Sequence, residues 1–499
     1  MGGHFPLFGA WYVQDSIKVR PNLTVSLGIR QEFTTGWNEV AGRAANYVTD
    51  ASGALITDPV VGSSVFTKNN ATHLFAPRVA LAWDVFGNGK TAIRSGFGMY
   101  YSLIDDLSFL LNSLPPFNGA VGFTNVSLPS ILPITPSLPQ PPSCGPNVPQ
   151  PCTTFAPQGI QPDAKTPTVE EWNFTIEQEL DRKTSLRAAY VGSFGYHGFL
   201  SIDPNSIPAQ ICSNAAGCAS GGVSTTIKGT VPQGTQYIPL GASRPNPYLT
   251  PGFFWYTAGN SSYNALQLDV VRHLSRGLQF RANYTWSKNL DVNSGLTIAQ
   301  ANNQPQMVMD RLDPHRDWGL SALNATHQAS ISASYELPFF RGSRLGGWQV
   351  NSIVTMLSGF PFTPLVGSNR SGDGNTRNPD RPNLNPSFSG PVILGKQTQW
   401  FDPRAFSLPT PGTWGNLGRG VFEGPGLADV DASLFKTTAL SEHTSLQFRA
   451  EIFNLLNHTN LGTPNAVAFS NGQVSASAGL ITSTATTSRQ IQFGLKLIF

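Results

Sequence analysis

QASISASYEL, residues 328–337, alternates without a break. Ala329, Ile331, Ala333, Tyr335 and Leu337 fall on one side of an extended chain, and Gln328, Ser330, Ser332, Ser334 and Glu336 fall on the other. That pattern belongs to a strand with a different solvent on each face. Residues 278–287 repeat it, with Leu278, Phe280, Ala282, Tyr284 and Trp286 alternating with Gln279, Arg281, Asn283, Thr285 and Ser287. An arginine held against lipid near the bilayer midplane costs roughly 2 to 4 kcal/mol, so Arg281 is expected to face a lumen, and Gln279 and Asn283 with it. The same logic turns Arg449 and Glu451 inward, between lipid-facing Phe448, Ala450 and Ile452. At the C-terminus Ile491, Phe493, Leu495, Leu497 and Phe499 share one phase.

Marking every such segment predicts strands near residues 9–15, 22–34, 77–86, 90–101, 168–181, 184–199, 262–275, 277–290, 326–338, 346–359, 428–437, 444–456 and 489–499. That makes about thirteen or fourteen strands, since one more could hide around Phe253 to Tyr256. Short links such as Gly87-Asn88-Gly89, Asp181-Arg182-Lys183 and Ser275-Arg276 alternate with long ones at 35–76, 102–167, 200–261, 291–325, 360–427 and 457–488. Outer-membrane barrels show this asymmetry, with short periplasmic turns and long outer loops. It sends the last strand inward, with Phe499 in the periplasm, and starts the first strand on the outer side. Closed bacterial barrels have an even strand number, so an odd count points to further strands upstream.

Composition agrees. Charged residues make up 12% of the chain, against roughly 25% in an average soluble domain. Aromatics reach 11%, and they gather at predicted strand ends: Trp11, Tyr12, Tyr100, Tyr101, Trp286, Phe339, Phe340, Trp348, Phe360 and Phe362. Rings in that position form interfacial girdles. No run of apolar residues is long enough for a transmembrane helix. A mean hydropathy of -0.12 is compatible with strands that alternate between lipid and lumen. The net charge of +3 is too balanced for nucleic-acid binding through a basic surface. The start, Met1-Gly2-Gly3-His4-Phe5-Pro6, has neither the cationic stretch nor the apolar core of a signal peptide, so an exported protein is expected to begin further upstream. The expected fold class is all-β, a transmembrane antiparallel β-barrel over residues 1–499 as one partial domain.

Several local phrases resemble the Oar-type barrel of TonB-dependent transporters. They are FAPRVALAWDVFGNGKTAIRSGFGMYY (75–101), EWNFTIEQELDRKTSLRAAYVGSFG (171–195), YNALQLDVVRH with NYTWSKNLD (263–291), YELPFFRG (335–342) and FRAEIFNLLNHTNLGTPN (448–465). Their order matches the family. The resemblance implies a 22-stranded barrel filled by an N-terminal plug, with a carboxypeptidase-like β-domain and a TonB box upstream that contact the energy-transducing inner-membrane complex. It also implies that FGLKLIF, through Phe493, Leu495, Leu497 and above all Phe499, is the signal read by the barrel assembly machinery.

Chemistry-bearing motifs are weak. Gly87-Asn88-Gly89-Lys90-Thr91 looks like the end of a phosphate loop, but Asp84 stands where that motif needs glycine, and Asn88-Gly89 between alternating runs reads as a hairpin turn. Ser371 to Asp380 is oxygen-rich, yet Arg377 and the missing closing glutamate break the calcium-loop pattern, which leaves a polar outer loop. Eight histidines lie scattered without ligand spacing, and Ser193 lacks the nucleophile-elbow motif. Neither catalytic residues, a cofactor nor a metal is expected. Cys144 with Cys152 and Cys212 with Cys218 form two close pairs in loop-like sequence. They are expected to be local disulfides rather than metal ligands, although spacing leaves connectivity open. The stretch Pro133 to Pro151 favours extended, polyproline-like backbone.

The function expected from all this is uptake of a nutrient, whether siderophore, oligosaccharide or peptide, through a plugged barrel in the outer membrane. Its partners would be membrane lipid, the assembly machinery and the TonB complex. Two rivals stand beside it: a passive or structural barrel fragment, and a secreted soluble β-rich protein that binds carbohydrate.

Overall fold

The computed structural model describes residues 7–103, 144–149, 156–224, 226–294, 307–339 and 345–499, with residues 152, 154, 305 and 343 between them. Most of the proline-dense stretch, Phe340 and the end of the YELPFFRG phrase lie outside the described residues.

One antiparallel path of thirteen strands runs in sequence order. It comprises β1 (Phe8–Arg20), β2 (Leu23–Thr34), β3 (Leu74–Asp84), β4 (Thr91–Tyr101), β5 (Thr168–Asp181), β6 (Thr184–Ile202), β7 (Phe253–Ser275), β8 (Leu278–Asp291), β9 (His327–Glu336), β10 (Trp348–Leu357), β11 (Leu427–Ala439), β12 (Ser445–Phe453) and β13 (Gln490–Ile498). All of the predicted strands are present. The suspected extra strand at Phe253 to Tyr256 is the outer end of β7. Among the described residues, β1 pairs in this sheet only with β2 and β13 only with β12.

Register makes the wall two-faced. Ile176, Ala188, Leu268, Tyr284, Ala329, Met356 and Ala428 stand side by side from β5 to β11. One residue along, Glu177, Arg187, Asp269, Asn283, Ser330, Thr355 and Asp429 form the matching row on the opposite face. A one-residue slip in any strand would exchange these rows, so the alternation itself holds the register. The apolar face carries large exposed side chains throughout, among them Ile29, Val79, Phe174, Ile331 and Phe493.

The wall's short connections are 21–22, 85–90, 182–183, 276–277, 337–347 and 440–444, and the long ones all leave from the other end. At 85–90 the expected turn is longer than a two-residue Asn-Gly hairpin. Asp84 organises it by accepting hydrogen bonds from the backbone of Gly87 and Gly89, both at positive φ.

The apolar core lies outside the wall. Phe362, Phe401, Phe406, Leu417 and Phe469 pack together from the 358–426 and 454–489 connections. Tyr47, Leu249 and Val308 from three other connections meet Leu200, Ile202 and Phe254 at the outer ends of β6 and β7. These two strands, 19 and 23 residues long, overreach the roughly 9 to 11 residues that cross a bilayer. They change course at a bulge where His197 takes φ 55° and Gly198 faces Gly259. The long connections thus fold into a cap. Phe362, expected in the interfacial girdle, belongs to this cap core, while Tyr12 and Tyr100 register with the polar face.

Two outcomes test this architecture. Ile331→Arg should lose the heat-modifiable gel mobility of a folded barrel, at a cost of roughly 2 to 4 kcal/mol, whereas Ser330→Arg on the polar face should retain it. Gly222 has φ 65°, and a Cβ there would run into the Gly372 carbonyl of another connection. Gly222→Ala should therefore make the cap protease-sensitive while the wall keeps its folded mobility.

Candidate functional site: the polar face and its cap

Alternation places most charges of the wall on one face, where several of them pair, while Arg272 and Lys436, near the short-turn ends of their strands, register with the apolar face. Arg281 on β8 makes a bidentate contact to Asp269 on β7, at 3.0 and 2.9 Å. Arg94 on β4 reaches Glu177 on β5 at 3.1 Å, and Arg30 contacts Glu32 along β2. Gln279 and Asn283 share this face with Arg281. Arg449 and Glu451 lie on it too, but on β12, with β9, β10 and β11 in between. The five residues thus occupy one surface without forming one site. Arg449 donates to Gln447 at 2.7 Å and lies 4.8 Å over the Phe435 ring.

Phe493, Leu495 and Leu497 point from the apolar face of β13, with Phe499 just beyond it, and all four are exposed. Cys144 is joined to Cys152, and Cys212 to Cys218, with Cα separations of 4.9 and 5.8 Å. Ser193 is an ordinary β6 residue paired with Glu171 and Tyr263. His327 opens β9 and hydrogen-bonds the Tyr284 hydroxyl at 2.8 Å. Among the described residues, no group of three or more His, Cys, Asp or Glu side chains is placed to hold a metal.

Sequence reasoning missed the buried polar lattice inside the cap. The oxygen-rich stretch at 371–380, expected to be a solvated loop, has Ser371, Asp373, Asn375 and Asp380 all buried. Backbone wedges it against the 203–252 connection: the Ile207 amide donates to the Asp373 carbonyl at 2.8 Å, and the Val223 amide to Gly372 at 3.0 Å. Arg244 pairs with Asp203 at 3.1 Å and also donates to the Gly374 carbonyl. Arg381, 2% exposed, pairs with Asp317 and donates to the Leu417 carbonyl at 2.7 Å. Arg419 bridges Asp291 at the top of β8 and the Asp317 carbonyl. No local pattern marks these residues, because each partner comes from a distant connection.

Burial pushes the Asp380 carboxyl up to about 7, helped by the neighbouring charge of Asp373. Asp373 itself is pushed up to about 6, by burial first and by Asp203 second, against hydrogen bonds from Asn375 and Asn369 and the nearby charge of Arg244.

A sheet with one apolar exposed face and one ion-paired face, topped by a folded cap, is the wall of a transmembrane β-barrel. An exposed apolar surface of this extent is what a bilayer covers. The chain belongs to the outer membrane beta barrel domain family, whose sequence profile matches residues 6–492. It lies in the outer membrane, which removes the reading as a secreted soluble protein. No curated protein matches it. Among solved structures it is similar to the ferripyoverdine receptor of Pseudomonas aeruginosa, with 10% identity, TM-score 0.43, and coverage of 99% of this chain and 38% of that one. It is also similar to the outer membrane transporter YddB of Escherichia coli, with 11% identity, TM-score 0.46, and coverage of 99% and 54%. A third is the ferric-catecholate import receptor Fiu of Escherichia coli K12, with 11% identity, TM-score 0.42, and coverage of 99% and 44%. The chain thus spans between 38% and 54% of the length of these three.

The acidic pair makes cap stability depend on pH. A carboxyl whose folded pKa exceeds its unfolded value stabilises the fold fully below the unfolded value and loses that contribution as pH rises through the folded one. Between about pH 4 and about 7 the cap should loosen as pH rises. Limited proteolysis should cut the outer connections faster at pH 8 than at pH 5, and Asp380→Asn should flatten the difference.

Proposed function

We propose that this chain is the barrel part of a TonB-dependent outer-membrane transporter that takes up a scarce nutrient. The observation that carries the reading is the combination of a charged, self-paired face along the wall with a tightly folded cap over its outer end. The ordered family phrases in the sequence support it. On this reading Gln279, Arg281, Asn283, Arg449 and Glu451 line the lumen, and the cap and lumen together select the cargo. Energy comes from the TonB complex acting through an N-terminal part, and no bond of the cargo is broken. Phe493, Leu495, Leu497 and Phe499 serve as the strand signal for the barrel assembly machinery.

Uptake in the parent bacterium tests the reading. Deleting the gene should abolish accumulation of one labelled nutrient from a panel of ferric siderophores, oligosaccharides and peptides at sub-micromolar supply. A protonophore should abolish the same accumulation. Uptake that persists with the protonophore would make the barrel a passive pore, and unchanged uptake of the whole panel in the deletion strain would remove transport.

A further inference from the structure

We infer that the outer end of the polar face carries a recognition pocket for a positively charged group, an ammonium or guanidinium, built on Asp429 and Asp431. The inference rests on the transport reading and narrows its substrate class. A cleft of roughly 750 Å3 opens between the outer ends of β11, β12 and β13 and the returning limb of the 454–489 connection. Asp429 and Asp431, two apart on β11, project from the same side of that strand into it. On the same face Asp269, Glu177 and Glu32 are each held by an arginine. Among the described residues, neither Asp429 nor Asp431 has an ion-pair partner.

The two carboxylates differ in a way that suits a ligand. Asp431 Oδ1 accepts the Asn454 backbone N–H at 2.9 Å, which fixes its side chain. Asp429 Oδ1 is shut off from solvent and, among the described residues, has no hydrogen-bond partner, a buried acceptor that lacks its donor. Leaving such an acceptor unmet is costly, and a charged N–H donor is the strongest remedy.

The surroundings are built in advance. Asn454, at φ 49° and 3% exposed, donates from its amide to the carbonyls of His458 and Thr487. Asn460 donates to the Thr486 hydroxyl at 2.9 Å and to the Ala428 carbonyl at 3.1 Å. Apart from the two acids, the lining is mostly hydroxyl and amide, with the Phe453 ring on one side. A ring there adds cation–π attraction. One step further inward on the same face stands another acid, Glu451, opposite Ser433. A cation meets negative groups from the mouth inward, whereas an anionic ligand would meet repulsion at each of them.

An amino sugar or a basic peptide could supply the group, and binding to the full chain folded in detergent separates them. The probes are glucosamine trimer and trilysine, each beside its fully N-acetylated, neutral form. One cationic probe should bind, its neutral form should bind at least about tenfold more weakly, and added salt should weaken the cationic probe alone. Asp429→Asn with Asp431→Asn should lower affinity by about tenfold or more while keeping folded gel mobility. Should the double variant not fold, the neutral-probe and salt comparisons on the unaltered chain decide. Equal binding of neutral and cationic forms, binding of neither cationic probe, or undiminished binding by the folded double variant would overturn the inference. Tight cation binding without uptake in cells would leave the pocket standing and remove the transport reading instead.

Discussion

A bilayer offers a backbone amide no hydrogen-bond partner, and the wall of this protein is organised around that constraint. Every strand crossing the hydrocarbon must be paired along its length, since each unmet group costs several kcal/mol there. For the strands from β2 to β12 the ladder meets the demand with a neighbour on each side, joined in sequence through tight turns at one end, while among the described residues β1 and β13 are each paired on one side. Once the ladder is continuous, alternation becomes geometry: each residue in the row from Glu177 to Asp429 has its immediate neighbours on the opposite face. Lipid takes one face and leaves the other to carry most of what is polar.

A wall one sheet thick has no interior of its own, so the molecule's buried apolar residues collect in the cap instead. This reverses the usual arrangement, in which strands build the core and loops cover it. The cap needs more than apolar contact to settle into a single structure. Arg381 with Asp317, Arg419 with Asp291, and Arg244 with Asp203 are held with additional carbonyl acceptors around them. Pairs so deeply buried add little net stability, because desolvating both charges offsets most of their attraction. Their effect is on specificity: a misplaced connection would strand an unpaired charge. Close backbone approaches at Gly222, Gly372 and Gly412 fix the spacing between the same connections.

The polar face varies along the wall in a way that bears on the proposed transport. From β2 to β8 arginines answer Glu32, Glu177 and Asp269 on this face. On β11 Asp429 and Asp431 stand under the cap with no ion-pair partner among the described residues, two such acids side by side at the outer end. Under the proposed function, paired charges along the wall suit passage and unpaired acids at the mouth suit recognition, since binding must be favourable enough to enter and weak enough to leave.

The wall is legible in the order of the amino acids. Period-two alternation in segments such as Gln328 to Leu337 marked the strands, the placement of Arg281 separated the faces, and the lengths of the links oriented the chain. Those signals are legible because lipid imposes one rule on every strand and each strand obeys it locally. The cap is different, because its form emerges from long-range packing. Phe362 reads like an interfacial aromatic, and Ser371 to Asp380 reads like a solvated polar loop, yet both are buried. The Asp429 cleft was equally invisible, because its walls come from three strands and a connection whose meeting no local spacing records. Membrane solvent acts residue by residue, so sequence reports it. Loop packing joins residues more than a hundred positions apart, as with Arg419 and Asp291, and such contacts exist only once the chain has folded.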